Sequence, residues 1–285
     1  MPYLGPVIDT HVHLYDPQRF MFPWLSNMPQ INKAHTSSMY LAASSNISLE
    51  SFIFVEACSI DADSMEEVEW VTAIAESEPK LSGVVAQVAM ERSGDARADL
   101  ERLVANPLVK GVRRIFGEPF QSDRALSVRP EFIANVRSLP EFGFSFDVCG
   151  APYTLEYSVR LVEACPDVTF VLDHIGTPAI ASGELEPWLS HIKRLALAGN
   201  VNVKISGLML EAGGPDIEKI RPFAQAVIEH FGFERIMYGS DYPVQEQAGG
   251  YDAAFNIASE LVAEYSKAEQ AQFFANNARR VYHLT

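Results

Sequence analysis

The segment Val7-Ile8-Asp9-Thr10-His11-Val12-His13-Leu14 begins as an apolar, β-branched run and ends with two imidazoles. Val and Ile suit a pleated, buried backbone, and strand side chains alternate, so His11 and His13 fall on one face. Seven further short runs rich in Val, Ile or Phe follow, at residues 52–57, 81–89, 109–116, 144–149, 169–175, 201–206 and 236–240. Each is bounded by polar or turn-forming residues and reads as a strand.

Stretches with helical periodicity fall between them, at 65–77, 95–106, 130–139, 155–165, 186–198, 215–231 and 251–265. In the first, Met65, Val68, Val71 and Ile74 or Ala75 line one apolar face. Strand and helix in alternation argue for parallel βαβ units. Eight of them fit a closed (β/α)8 TIM barrel, an α/β fold, better than an open sheet. The doubly wound alternative lacks a Gly-x-Gly-x-x-Gly turn after its first strand, which removes one kind of nucleotide-binding fold. No repeat or linker divides the 285 residues, so a single domain over 1–285 is expected.

Composition narrows the partners. A formal net charge of -15 leaves no excess of Lys or Arg to neutralise phosphates, which argues against nucleic acid. No run approaches the roughly 20 apolar residues that cross a bilayer, so a cytoplasmic location away from membranes is expected. Cys58, Cys149 and Cys165 are odd in number and widely spaced, and they read as reduced thiols. The connection 15–49 is unusually long and carries Phe20, Phe22, Pro23 and Trp24, either as an aromatic lid over the barrel mouth or as packing on its rim.

Two more apolar runs end in polar side chains: Phe170-Val171-Leu172-Asp173-His174-Ile175-Gly176 and Met237-Tyr238-Gly239-Ser240-Asp241-Tyr242-Pro243. Alone, His174 reads as a structural histidine and Asp241 as a helix cap. Three polar strand ends at one rim of one barrel are not expected by coincidence, because barrel active sites form at that rim. Imidazole is a preferred ligand for divalent zinc, so His11 and His13 can grip such a cation. His35, His191, His230 and His283 lie in the loop, on helices or at the terminus and are assigned no role.

Together with Gly111-Val112-Arg113 and Lys204-Ile205-Ser206-Gly207-Leu208, these motifs resemble the amidohydrolase superfamily across nearly the whole chain. Within it they resemble the amidohydrolase-2 group, which holds sugar lactonases of the L-fuconolactone and L-rhamnonolactone type and hydrolases of aromatic-derived lactones. The resemblance implies a barrel in which His11, His13, His174 and Asp241 converge on a hydrolytic site and hold one divalent metal, with zinc expected. It departs from the binuclear members, which place a bridging Lys or Glu on strand four and a His on strand five. Here those strands end in Arg113-Arg114 and Asp147-Val148-Cys149. One metal is therefore the upper expectation, and the group also includes members working without any. The closing Asn276-Asn277-Ala278-Arg279-Arg280-Val281-Tyr282 matches the family's final helix, packed on the barrel.

A lactone carbonyl needs its developing charge stabilised, a task for His11, His13 and His174 or a cation they hold, and Asp241 is the expected general base. Arg113 or Arg114 could fork onto substrate oxygens, and the resemblance favours Arg113 as the inward one. The pair leans toward an anionic substrate. Lys204, Glu56, Asp147, Trp24 and Tyr242 are further candidates for substrate contact, with Glu56 equally able to pair with Arg113. The expected activity is hydrolysis of a sugar 1,4- or 1,5-lactone. The alternatives are a carboxylated pyrone or muconolactone, a metal-dependent decarboxylation, and a non-catalytic binding barrel. The expected partner is a small lactone, and a homo-oligomer is left open.

Overall fold

In a computed structural model describing residues 2–92 and 94–284, eight strands form one sheet in chain order, every neighbouring pair parallel. They are β1 (Val7–Val12), β2 (Leu49–Val55), β3 (Leu81–Gln87), β4 (Val109–Phe116), β5 (Ser145–Gly150), β6 (Phe170–Leu172), β7 (Val201–Ile205) and β8 (Ile236–Tyr238). The ring closes just past β8: Asp241 N donates to His11 O at 2.9 Å and His13 N donates to Tyr242 O at 2.8 Å. The expected (β/α)8 barrel is what the chain forms.

Both faces of the strands are covered, which is why they read as near-continuous apolar runs. Ile8, Ile53, Val55, Val85, Val171 and Met237 meet on the barrel axis. Val7, Val12, Phe54, Val84, Val112 and Phe170 pack outward under the helices. On β1, Asp9 stands opposite Phe52 and Val12 opposite Phe54, so β1 carries one extra residue between those pairs. This bulge breaks strict alternation. Asp9 turns outward to the hydroxyls of Tyr40 and Tyr251, at 3.0 and 3.3 Å, while His11 and His13 aim into the mouth.

The helices are α1 (Ser37–Ala43), α2 (Ser64–Ala75), α3 (Asp95–Leu103), α4 (Pro130–Arg137), α5 (Leu155–Ala164), α6 (Trp188–Leu197), α7 (Leu208–Ala212), α8 (Ile217–Phe231), α9 (Gly250–Leu261), α10 (Lys267–Ala271) and α11 (Asn277–Val281). Helix α8 starts later than its periodicity suggests because the Asp216 carboxylate accepts from the N–H groups of Glu218 and Lys219 and caps it. Helix α9 ends before residue 265, and Ser266 with Glu269 then opens α10 through a capping box. Helix α11 closes the bottom of the barrel. Asn277 Nδ2 donates to Phe233 O at 2.5 Å and Ile236 O at 2.8 Å, at the start of β8, and Ala278, Val281 and Tyr282 join the axial cluster.

The connection after β1 is folded. Tyr15 pairs with His35, and Tyr15, Phe20, Phe22, Leu25 and Ile31 pack with Ala57 in a small core on the rim. No helix among the described residues is long and apolar enough to cross a membrane.

Candidate active site

His11 and His13 leave the bulged end of β1, and Asp241 follows β8. His11 Nε2 lies 3.2 Å from His13 Nε2 and 3.8 Å from Asp241 Oδ1, and His13 Nε2 lies 3.5 Å from the same oxygen. The far nitrogen of each ring faces an acceptor: His13 Nδ1 the Val55 carbonyl at 2.8 Å, His11 Nδ1 the Asp173 carboxylate at 3.4 Å. Lys204 Nζ is 3.5 Å from His11 Nδ1, but it has two nearer carboxylates to serve. In a neutral imidazole the nitrogen facing an acceptor carries the proton, so both Nε2 atoms present lone pairs. Burial pushes the His11 pKa well below its ordinary value and keeps the ring neutral. Three electron-pair donors facing one point call for a cation. Tetrahedral zinc, with bonds of about 2.0–2.2 Å, spaces its ligands by about 3.4 Å. His11, His13 and Asp241 fit a divalent metal on both donor type and spacing.

Beneath them lies a buried ionic floor. Arg113 Nε bonds Glu56 Oε1 at 2.5 Å, Nη2 bonds the Glu56 carbonyl at 2.7 Å, and Nη1 bonds Asp173 Oδ2 at 3.1 Å. Lys204 Nζ reaches Asp147 at 2.5 Å and Asp173 at 3.0 Å. Burial pushes the Asp147 carboxyl up to about 6 despite Lys204. For Asp173 burial also pushes up, but Lys204, His11 and Arg113 outweigh it and hold the carboxyl well below its ordinary value. The carboxylates of Glu56, Asp147, Asp173 and Asp241 thus gather, buried, around the equally buried Arg113 and Lys204.

Local backbone geometry aims the remaining groups. The chain turns left-handed at His174, Ile175 and Thr177 (φ 52°, 49° and 48°) and again at Asp241 (φ 59°). Non-glycine residues held there cost about 1–3 kcal/mol each, a cost typical of functional sites. His174 Nδ1 meets Ser206 Oγ at 2.9 Å. Gly207 (φ 72°) makes that approach feasible, because a Cβ there would lie 2.6 Å from His174 Nδ1. Gln245 Nε2 donates to Asp241 Oδ2 at 3.0 Å, and its Oε1 accepts from Leu210 N at 3.2 Å. Burial pushes Asp241 up, but the positive charge that His174 first, then His13 and His11, carry when protonated pulls its carboxyl down to about 2, so it is ionised at neutral pH.

The chamber above is about 170 Å³. His13, Arg113, His174, Asp241 and Glu211 line its polar side, and Trp24, Met28, Phe120 and Leu210 its apolar side. Through Trp24, Cys58 and Phe120 it adjoins a cleft of about 350 Å³ that reaches Asp61 and Arg114. Trp24 is fixed by its Nε1 donating to Ala57 O at 2.8 Å. Of the two readings open for the long connection, rim packing is what Phe20 and Phe22 show, while Trp24 lines the chamber. Cys58 and Cys149 also line it, but burial raises both thiols above their ordinary pKa and keeps them protonated.

Several expected substrate contacts are relocated. Arg113 points inward, as expected, but its donors serve Glu56 and Asp173 rather than a ligand. Arg114 is held by Asp61 and Glu91. Lys204 and Asp147 are sealed in the floor. Both oxygens of Glu56 are engaged, by Arg113 and by the N–H of Cys58. The Tyr242 side chain turns away toward Tyr40 and His35. Asp173, Ser206, Gln245 and Glu211 were not anticipated. Asp173 stood beside His174 in the sequence, whereas Gln245, four residues past Asp241, carried no signal.

A buried histidine and carboxylate centre that fits a divalent metal, at the mouth of a (β/α)8 barrel, defines a barrel hydrolase. The chain belongs to the amidohydrolase family, whose sequence profile (Amidohydro_2) matches residues 8–284, and it is an enzyme, a hydrolase. It is similar to an L-fucono-1,5-lactonase of Burkholderia ambifaria, 30% identical over 187 residues, 65% of this chain and 63% of that protein. A crystal structure of an amidohydrolase from Burkholderia multivorans with bound zinc superposes with TM-score 0.87 at 24% identity, covering 99% of this chain and 100% of that one. A putative 2-pyrone-4,6-dicarboxylic acid hydrolase from Pseudomonas putida superposes with TM-score 0.74 at 20% identity, covering 97% of each chain. At those identities the structures share the fold.

Proposed function

We propose that the enzyme hydrolyses an uncharged sugar lactone, a 1,4- or 1,5-lactone, to its aldonic acid, with zinc as the bound metal, in cytoplasmic carbohydrate catabolism. The charge balance of the chamber carries this reading. Both arginines near the mouth serve internal carboxylates, so neither is free to receive a substrate carboxylate. The carboxylates facing the chamber are Asp241 and Glu211. A pyrone dicarboxylate would meet repulsion there, while a polyhydroxylated ring meets acceptors and the flat faces of Trp24 and Phe120.

Water attacks the lactone carbonyl carbon, and Asp241 takes the proton it releases. Asp241 then returns that proton to the ring oxygen as the carbonyl C–O bond breaks, leaving the open hydroxy acid. Gln245 occupies Asp241 Oδ2, which leaves Oδ1 facing the histidines. Accepting from Ser206 at Nδ1, His174 offers an Nε2–H to the developing oxyanion. Asp173, itself held by Lys204, accepts from His11 Nδ1 and holds the ring from below. A divalent metal held by His11, His13 and Asp241 would, when bound, lower the pKa of water from about 15.7 to about 7 and polarise the carbonyl.

The test is a pH-indicator assay over neutral sugar lactones and pyrone carboxylates, on protein analysed for zinc before and after chelation. Turnover of neutral sugar lactones that is lost on chelation and restored by zinc is the expected result. No turnover of any lactone by intact, metal-replete protein would overturn the proposal.

A further inference from the structure

We propose that Glu211 is the specificity residue of the chamber, accepting hydrogen bonds from substrate hydroxyls and discriminating against carboxylated lactones. This rests on the lactonase reading above. Glu211 sits on α7, and the neighbouring Leu210 N is tied to Gln245, which in turn holds Asp241. Two hydrogen bonds thus fix α7 against the catalytic carboxylate, and Glu211 lines the same chamber as His13, His174 and Asp241.

The other carboxylates at or below the chamber are already engaged: Glu56 by Arg113 and the Cys58 N–H, Asp147 and Asp173 by Lys204, Asp241 by Gln245. The Glu211 carboxylate has no hydrogen-bond or salt-bridge partner among the described residues, and burial and the Asp241 charge both raise its pKa. A half-buried carboxylate without donors, facing a second carboxylate, is unfavourable until something supplies donors. A sugar lactone supplies hydroxyls, whereas a pyrone dicarboxylate adds negative charge. The α7 carboxylate therefore favours the first ligand and opposes the second.

The experiment compares wild type, Glu211→Gln and Glu211→Ala, each with unchanged thermal unfolding, on the best neutral sugar lactone of the panel above and on 2-pyrone-4,6-dicarboxylate. With the neutral lactone, Glu211→Ala is expected to raise KM about ten-fold, as for the loss of a hydrogen bond to a charged group, with kcat little changed. Glu211→Gln, which keeps an acceptor but removes the charge, should restore most of that KM and raise kcat/KM on the dicarboxylate about five-fold. Unchanged KM in both variants, with wild type still turning over neutral sugar lactones, overturns the role of Glu211 and leaves the lactonase reading standing. A fall in kcat alone would assign Glu211 to the chemistry and overturn the specificity role. Wild type that hydrolyses only the dicarboxylate overturns both.

Discussion

Asp241 is held by Gln245 on one oxygen and faces the two β1 histidines with the other. Asparagine at this position keeps an oxygen for the Gln245 amide but cannot accept a proton. Asp241→Asn is therefore expected to fold normally and to lose about 10²–10⁴-fold in kcat, read by steady-state hydrolysis beside an unchanged melting curve. A second residue acts through charge alone. Lys204 is fully buried between Asp147 and Asp173, and methionine of similar length would leave both acids without their ammonium. Breaking one partner of a buried ionic set costs about 3–5 kcal/mol, so Lys204→Met should lower the urea midpoint sharply while leaving the chamber lining intact. The four strand-end residues were legible because each stands where an apolar run stops. The pairing of Arg113 with Glu56 was one of the two readings open for Glu56, but its second partner, Asp173, 60 residues away, was not foreseen. Spacing along the chain carries no trace of that second pairing.

At the scale of elements, the turn Asp61–Asp63 before α2 is moored to the strand ends by Asp61, which takes Arg114 Nη1 at 2.6 Å, Arg92 Nη2 at 2.5 Å and Gln87 Nε2 at 2.9 Å. Burial pushes the Asp61 carboxyl up, but Arg114 and Arg92 outweigh it and hold it below its ordinary value. The folded chain then binds this proton less readily than the unfolded chain, whose Asp titrates near about 3.9. Its contribution is full well above that pH and fades as pH falls through it toward the folded value. The gap in melting temperature between wild type and Asp61→Asn should therefore be widest near neutrality and narrow as the pH falls below the ordinary Asp value of about 3.9. The eight strands could be read in advance because burial on both faces writes itself as Val, Ile and Phe. The runs at 169–175 and 236–240 were read too long, since Ile175 continues the apolar pattern through a left-handed turn that only Gly176 betrays. Helices α1 and α7 escaped notice because seven and five residues are too few to show a helical period.

For the molecule as a whole, α11 matters beyond its size. Tyr282 is fully buried at the barrel floor, its ring 5.8 Å from Lys204 Nζ. Removing that ring opens a cavity on the axis, and Tyr282→Ala should cost about 3–5 kcal/mol in chemical unfolding. The effect should reach function too, because Lys204 rests above the ring and supports His11 through Asp173. A column of contacts thus joins the end of α11 to the metal-capable histidine at the opposite mouth. A protease clipping near residue 280, or a frameshift there, would silence hydrolysis while sparing every atom that meets the substrate.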